Sequence, residues 1–141
     1  MKNLKPIYRY SNHAHLGYAM FYDQIVNDSK EFTKKELYAI INDKSIDVLI
    51  RQTALYMIGT QWTEHALEEI YQILNNYPEL AKYIESLFES FTLERTIEYA
   101  KKLLNKNIIS FVQWEIINSS VQANIDINFN PIKKFGQSAY E

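Results

Sequence analysis

Residues 47–59 decide the fold of this chain, and they read Asp47-Val48-Leu49-Ile50-Arg51-Gln52-Thr53-Ala54-Leu55-Tyr56-Met57-Ile58-Gly59. Any helix built on this stretch carries apolar side chains on more than one side, so it must be packed by neighbours on both flanks. Gly59 fits the position just past a helix C-terminus. The stretch therefore predicts a central helix over residues 46–59.

Apolar residues recur at helical spacing on both sides of that stretch. Thr33 and Glu36 form a capping-box pattern at the start of one helix. Ser45 is a candidate N-cap for the central helix, and Thr92 is a candidate N-cap for a later one. The predicted helices cover residues 14–27, 33–43, 46–59, 62–76, 78–91, 92–105 and 108–121.

The pattern changes after Gln122. Ile125, Ile127 and Phe129 alternate with polar residues, which is the period of an extended segment. Without a second strand in the chain, this segment is predicted to be an extended tail, residues 122–141, that lies along the helices.

Composition agrees with one all-α domain over residues 1–141. The chain has 141 residues, 47% of them apolar and 23% charged, with three Gly and three Pro, too few for the turns of an all-β protein. It has no Cys, which excludes disulfides, a cysteine-ligated metal and a thiol nucleophile. No apolar run is long enough for a membrane span or resembles a signal peptide, so a cytoplasmic protein without membrane contact is expected.

The helices form pairs that start at about residues 16, 46 and 78, a spacing of roughly 30–32 residues that is typical of α-solenoids. Residues 46–76 resemble a HEAT repeat, and the matching positions are Asp47, Ile50, Arg51, Ala54, Ile58 and Gly59. The resemblance implies a short right-handed α-solenoid of antiparallel helix pairs, in which the Asp and the Arg connect adjacent repeats. It also implies an interaction scaffold rather than an enzyme.

Charge is unevenly distributed along the chain. Residues 64–98 contain eight acidic and two basic residues, whereas the rest of the chain contains nine acidic and thirteen basic residues. Neither flank has the concentrated positive face that phosphate binding needs, so nucleic-acid binding is not expected. Three pairs of like-charged Glu lie four residues apart, an arrangement that costs a few tenths of a kcal/mol per pair. An acidic face of this kind suggests a basic protein partner.

The chain is similar in size and charge to bacterial toxin-immunity proteins. That resemblance implies a non-enzymatic protein that masks the basic active site of a nuclease toxin. A HEAT-like scaffold unrelated to toxins is the alternative. The residues expected to bind the partner are Glu64, Glu68, Glu69, Tyr71, Glu85, Glu89, Glu94, Glu98 and Tyr99.

Chemistry-bearing residues offer only weak alternatives. His13 and His15 lack a third metal ligand at a recognised spacing, so no metal or other cofactor is expected. Arg9 and His15 loosely resemble the Arg…His motif of HEPN-type RNases, which would act by general acid–base chemistry. His65 lies among carboxylates with no nucleophile beside it in sequence. No catalytic residue is therefore expected, and a helical RNase is the third alternative.

Overall fold

The computed structural model describes residues 5–8, 22–89 and 91–129, and within these ranges the chain is all-helical, as the sequence predicts. Two 3₁₀ turns, Thr63–Ala66 and Pro78–Ala81, interrupt the α-helices. The helices are α1 (Lys5–Tyr8), α2 (Tyr22–Ser29), α3 (Lys34–Asn42), α4 (Val48–Trp62), α5 (Leu67–Asn76), α6 (Glu85–Phe88), α7 (Glu94–Asn105) and α8 (Phe111–Phe129).

Helices α3 and α5 lie side by side and run in the same direction. Lys34 at the start of α3 forms an ion pair with Glu69 near the start of α5, with an N–O distance of 3.0 Å. Asn42 at the end of α3 accepts a hydrogen bond of 3.0 Å from the Tyr77 hydroxyl, just after α5. The starts of α3 and α5 therefore lie together, and so do their ends.

Helix α7 lies on the opposite side of α5 and again runs parallel to it. The rings of Tyr71 and Tyr99 are in contact, with centroids 4.8 Å apart. One turn later, Lys106 donates a hydrogen bond of 2.7 Å to Asn75. Helices α3, α5 and α7 therefore form one layer of parallel neighbours.

A second layer contains α4, the segment 78–91 and α8. Near the start of α4, Arg51 pairs with Glu79 at 3.3 Å, and near its end Gly59 contacts Leu87. The Gln113 side chain, early in α8, donates to the Ala81 carbonyl, and Asn124, late in α8, donates to carbonyls at residues 89 and 91. These three elements are again parallel. Helix α3 packs on α4 and α7 packs on α8, so the layers cover each other.

Helix α4 is the centre of the fold, because residues 50–60 are all buried. Thr53 and Thr60 donate to carbonyls of α4 itself, whereas Arg51 and Gln52 bond to backbone carbonyls of other segments. Arg51 Nε donates to Ile41 at 2.8 Å, and the Gln52 amide donates to Leu80 at 3.3 Å and also to Lys82. A buried polar group costs stability unless it is hydrogen-bonded, so these contacts allow α4 to be buried despite its polar residues.

The same contacts explain why residues 78–91 do not form the continuous helix that the sequence predicts. A 3₁₀ turn and the short α6 are separated by Tyr83, whose φ of 68° lies in the left-handed region. Helix α4 donates to two carbonyls at this break: Gln52 bonds to Lys82, and the Tyr56 hydroxyl donates 3.0 Å to Tyr83. The Tyr83 carbonyl also accepts from the Ser86 amide at 3.1 Å, so the tertiary hydrogen bonds add to a local turn and hold the break in place.

The predicted ends of the central helix are also wrong. The N-cap is Asp47, whose carboxylate accepts from the Leu49 amide at 2.8 Å, whereas Ser45 donates its hydroxyl hydrogen to Asp43. Gly59 is an interior residue rather than the C′ residue, and the helix continues to Trp62. The neighbouring helix begins later than predicted, at Leu67, after the 3₁₀ turn.

Both of the last helices differ from their predicted bounds. Thr92 does not cap α7: its hydroxyl donates to Glu64, and Leu93 is the N-cap residue, without a side-chain hydrogen bond. Helix α8 begins at Phe111 after a capping box of Ser110 and Gln113, with bonds of 2.9 and 3.1 Å.

The extended tail predicted for residues 122–141 is wrong over residues 122–129, which continue α8. Val121 and Ile125 lie one turn apart and are buried beside Ile117, so the helical period dominates the alternating one. Asn124 adds hydrogen bonds to the end of α6. Residues 130–141 and residues 14–21 of the first predicted helix lie outside the described ranges.

The remaining predicted element is confirmed. Helix α3 begins with the predicted capping box, in which the Thr33 hydroxyl accepts from the Glu36 amide and the Glu36 carboxylate accepts from the Thr33 amide. The assignment of residues 1–141 to a single domain stays a prediction.

Substituting Gly59 tests the close approach of α4 to α6. A Cβ at this position would lie 2.7 Å from both terminal methyl groups of Leu87, which is itself fully buried. Overpacking of this kind costs about 1–3 kcal/mol, against about 1 kcal/mol gained when Ala replaces Gly in a helix. We expect Gly59→Ala to lower the free energy of unfolding in urea.

The control is the same substitution in a Leu87→Ala background, where the clash is absent. There Gly59→Ala should raise the free energy of unfolding. A Gly59→Ala protein that is more stable than the wild type would contradict the packing described above.

Candidate functional site

The seven carboxylates predicted to bind a partner belong to several elements, and three of them bond within the chain. Glu64, in the turn before α5, accepts hydrogen bonds from both the Thr92 amide and the Thr92 hydroxyl, the latter at 2.6 Å. It thereby connects the start of α5 to the segment that leads into α7. Its role in the structure is a contact between neighbouring helices.

Glu69 connects α5 to α3. Besides the ion pair with Lys34, it accepts a hydrogen bond of 3.0 Å from the Tyr38 hydroxyl. Burial, followed by the hydrogen bond to Glu69, raises the pKa of Tyr38 to about 12. Tyr38 therefore stays protonated and remains a donor to this carboxylate at every physiological pH.

Glu85 and Glu89 lie one turn apart around α6. Glu85 accepts a hydrogen bond of 2.7 Å from Gln113 of α8. Partial burial of the Glu89 carboxyl, together with the negative charge of Glu85, raises the pKa of Glu89. Both side chains are half-buried, so this pair forms a small negative site along the border between α6 and α8.

The other three carboxylates, Glu68 on α5 and Glu94 and Glu98 on α7, are exposed. Glu94 lies in the first turn of α7, where the helix dipole favours a negative charge. These three belong to the layer of α3, α5 and α7, whereas Glu85 and Glu89 belong to the layer of α4 and α8. The predicted set is thus divided between two layers.

Tyr71 and Tyr99 are brought together between α5 and α7, with their ring planes tilted by 40°, but their neighbours are cations. The ammonium of Lys102 lies 5.8 Å from the Tyr71 centroid and 5.4 Å from the Tyr99 centroid. The ammonium of Lys106 lies 5.4 Å from Tyr71, and the Arg95 guanidinium lies 5.7 Å from Tyr99. The sequence held a signal for this cluster, because the spacing of Arg95 and Lys102 places them on one stripe of α7, which Lys106 continues just after the helix.

A second feature missed in the sequence is the outward side of α8. Phe111 is 61% exposed and Val112 is 63% exposed, and Ile116 is exposed on the same side one turn later. The sequence indicates a helix with apolar residues on two sides, yet only the side with Ile117 is buried in the described structure. Helix α8 is the last helix of its layer, and none of the described residues covers its side with Phe111, Val112 and Ile116.

Charged residues on this side of α8 are all acidic. Glu115 and Asp126 are exposed, and the sequence of residues 111–129 contains no Lys or Arg. Ile116 lies one turn beyond Gln113, which bonds to Glu85. The exposed apolar side chains therefore share α8 with two exposed carboxylates, and Glu85 of α6 is hydrogen-bonded to Gln113 of the same helix. We call the exposed set Phe111, Val112, Glu115, Ile116 and Asp126 the α8 face.

The candidate catalytic and metal-binding residues are not assembled in the described part of the chain. Arg9, His13 and His15 lie outside the described residues, so the RNase and metal alternatives are untested. His65 is exposed in the 3₁₀ turn before α5. Among the described residues, no three His, Asp or Glu side chains come close enough to hold a metal ion.

Comparisons of the chain with protein-family models, with curated proteins and with solved structures found no match. The resemblances to HEAT repeats and to toxin-immunity proteins therefore stay predictions. None of the helices in the described ranges combines the length and apolar character that crossing a membrane requires.

The raised pKa of Glu89 predicts how the stability of the folded protein depends on pH. A carboxyl whose pKa is raised by folding binds its proton more tightly in the native state, so stability falls as the pH rises through that pKa. We expect Glu89→Gln to raise the melting temperature at pH 7, and this gain should shrink towards about pH 3, where carboxylates are protonated in both states.

Glu98→Gln serves as the control, because it removes the same charge from an exposed position on α7. The melting temperatures of the wild type and of both variants, measured from pH 3 to pH 8, test this prediction. A gain at Glu89 that does not change with pH, or a loss of stability at pH 7, would contradict the account of this carboxyl.

Proposed function

We propose that this protein is a non-enzymatic protein-binding module that holds a basic, partly apolar partner on the α8 face. The observation that carries the proposal is the exposure of Phe111, Val112 and Ile116 on one side of a helix that has no positive charge. Covering apolar side chains with this much exposed area contributes on the order of 1 kcal/mol each. Adjacent exposed apolar residues rimmed by polar ones are typical of an interaction site.

The negative charge of the α8 face favours a basic partner over a second copy of this chain. Two copies of this chain meeting through α8 would bring Glu115 and Asp126 towards their own copies, and like charges across an interface cost affinity. A partner with Lys or Arg would instead pair with these carboxylates. It would also stabilise the negative charge of Glu89, which is disfavoured in the free protein by partial burial and by Glu85.

The arrangement of the helices supports a solenoid of HEAT-like character as the scaffold. Contacts between neighbouring parallel helices join residues 27 to 35 positions apart, in agreement with the predicted repeat length. Arg51 bonds to Ile41 before it and Glu79 after it, the connecting role implied by the resemblance. In a solenoid each layer ends with an uncovered helix, and α8 has that position in this proposal.

Masking of a basic nuclease toxin is the particular form of this function that we favour. The acidic residues of α8 and α6 would cover a positive active site and exclude its substrate by occupancy. Complementary charge raises the association rate by roughly 10- to 1,000-fold. A HEAT-like scaffold with another basic partner is the second form, and it requires no inhibition of an enzyme.

The test is a photoreactive amino acid placed at Val112 in the full chain, expressed in the native cell. We expect a discrete adduct with a basic protein, and we expect its yield to fall as salt is added. The same amino acid at Gln72, exposed on α5 in the other layer, should give no such adduct. Equal adducts from both positions, or an acidic partner, would contradict the proposal.

Charge reversal then separates the two layers. Glu115→Lys on α8 should weaken binding of the captured partner and reduce its salt dependence, whereas Glu68→Lys and Glu94→Lys on the other layer should leave both unchanged. If Glu68→Lys and Glu94→Lys weaken binding and Glu115→Lys does not, the partner binds α5 and α7 instead. If the partner is a nuclease, inhibition at a 1:1 ratio distinguishes toxin masking from scaffolding.

A further inference from the structure

The cluster around Tyr71 and Tyr99 lies in the layer of α5 and α7, away from the α8 face, and has its own chemistry. Arg95 and Lys102 lie on one stripe of α7, because a position seven residues after Arg95 returns to nearly the same side of a helix, and Lys106, the residue that follows the helix, continues that stripe. Among the described residues, none of these three cations has a carboxylate within ion-pair distance. Lys102 and Lys106 repel each other at a spacing of four residues.

The tyrosines hold these cations in place. Tyr71 is only 8% exposed, so its ring is held in place by packing, and the ammonium groups of Lys102 and Lys106 lie over that ring. Lys106 is further fixed by its hydrogen bond to Asn75, and Arg95 by its bond of 3.1 Å to the Tyr99 hydroxyl. Side chains that are ordered before a ligand arrives lose less entropy on binding.

The cations of this cluster act on the Tyr71 hydroxyl. A hydrogen bond with Lys106 is the main cause that lowers the pKa of the Tyr71 hydroxyl, and the charges of Lys106 and Lys102 add to it. The negative form of the phenol is thus favoured beside these ammonium groups. An external anion placed beside them would experience the same potential.

The surroundings limit the size of such an anion. Glu68 precedes Tyr71 by one turn on α5, Glu98 precedes Lys102 by one turn on α7, and Glu94 lies one turn before Glu98; all three are exposed. A long polyanion would run past these carboxylates and be repelled. The buried Tyr71 ring also offers no free face on which a nucleic-acid base could stack. A compact anion with two or more charges avoids both costs.

From this geometry we infer that Lys102, Lys106 and the Tyr71 hydroxyl form a binding site for a compact phosphate group, of the kind carried by pyrophosphate or a phosphate monoester. The two ammonium groups neutralise the phosphate, and Tyr71 and Asn75 supply polar atoms beside them. Arg95 fixes Tyr99 at the edge of the site. This site is independent of the partner surface on α8.

The test uses inorganic pyrophosphate and the full chain, with binding measured by calorimetry at constant ionic strength set with NaCl. We expect binding that is at least ten-fold weaker in the double variant Lys102→Gln/Lys106→Gln. The control is Lys35→Gln/Lys101→Gln, which removes the same charge from exposed positions on α3 and α7 and should bind as the wild type does. Equal binding by all three proteins, or none by the wild type, would overturn the inference.

A second readout follows the phenol directly. Bound pyrophosphate opposes ionisation of Tyr71, so it should raise the midpoint of the tyrosinate absorbance that Tyr71→Phe removes. An unchanged midpoint in saturating pyrophosphate would place the anion elsewhere and overturn the site.

A 5′-phosphorylated oligonucleotide distinguishes the source of the phosphate. It should bind no more tightly than pyrophosphate, and removal of its terminal phosphate should abolish binding. Affinity that rises with oligonucleotide length would overturn the compact-anion inference in favour of nucleic acid.

Discussion

The burial of α4 among carbonyl groups of its neighbours is the constraint on which the rest of the structure depends. Arg51 and Gln52 are both buried, and each finds its acceptors on a segment that is distant in sequence. Because an unpaired buried polar group is costly, α3 must end where Ile41 can accept from Arg51, and the carbonyls of Leu80 and Lys82 must lie within reach of Gln52. The two layers are thus held in register from the centre.

The two proposed binding surfaces lie where the layers face outward. The α8 face combines exposed apolar side chains with carboxylates, and the cluster at Tyr71 combines cations with fixed rings. As proposed above, their opposite charge and separate layers would allow two ligands of different chemistry to bind without competition. On α7 the charge changes sign along the helix: Glu94 and Glu98 come first, and Lys102 and Lys106 follow them.

The sequence predicted what local physics determines. Helical spacing gave the all-α class, and the Thr33–Glu36 pair gave the start of α3, since a capping box involves residues three positions apart. The break at Tyr83 and the true position of Gly59 depend on contacts with residues about 27 to 30 positions away, which no local pattern contains. The same holds for Glu64 and Glu69, whose partners lie 28 to 35 positions away in the sequence. By contrast, the Ser110–Gln113 capping box was readable from the sequence.

Amide hydrogen exchange, resolved by residue on the free protein, tests the central position of α4 most directly. If α4 holds both layers together, the amides of residues 50–60 exchange most slowly, and their free energy of exchange equals the global free energy of unfolding measured in urea. If amides of α7 or α8 outlast those of α4, or if α4 opens in a smaller unit while the layers stay folded, the account is contradicted.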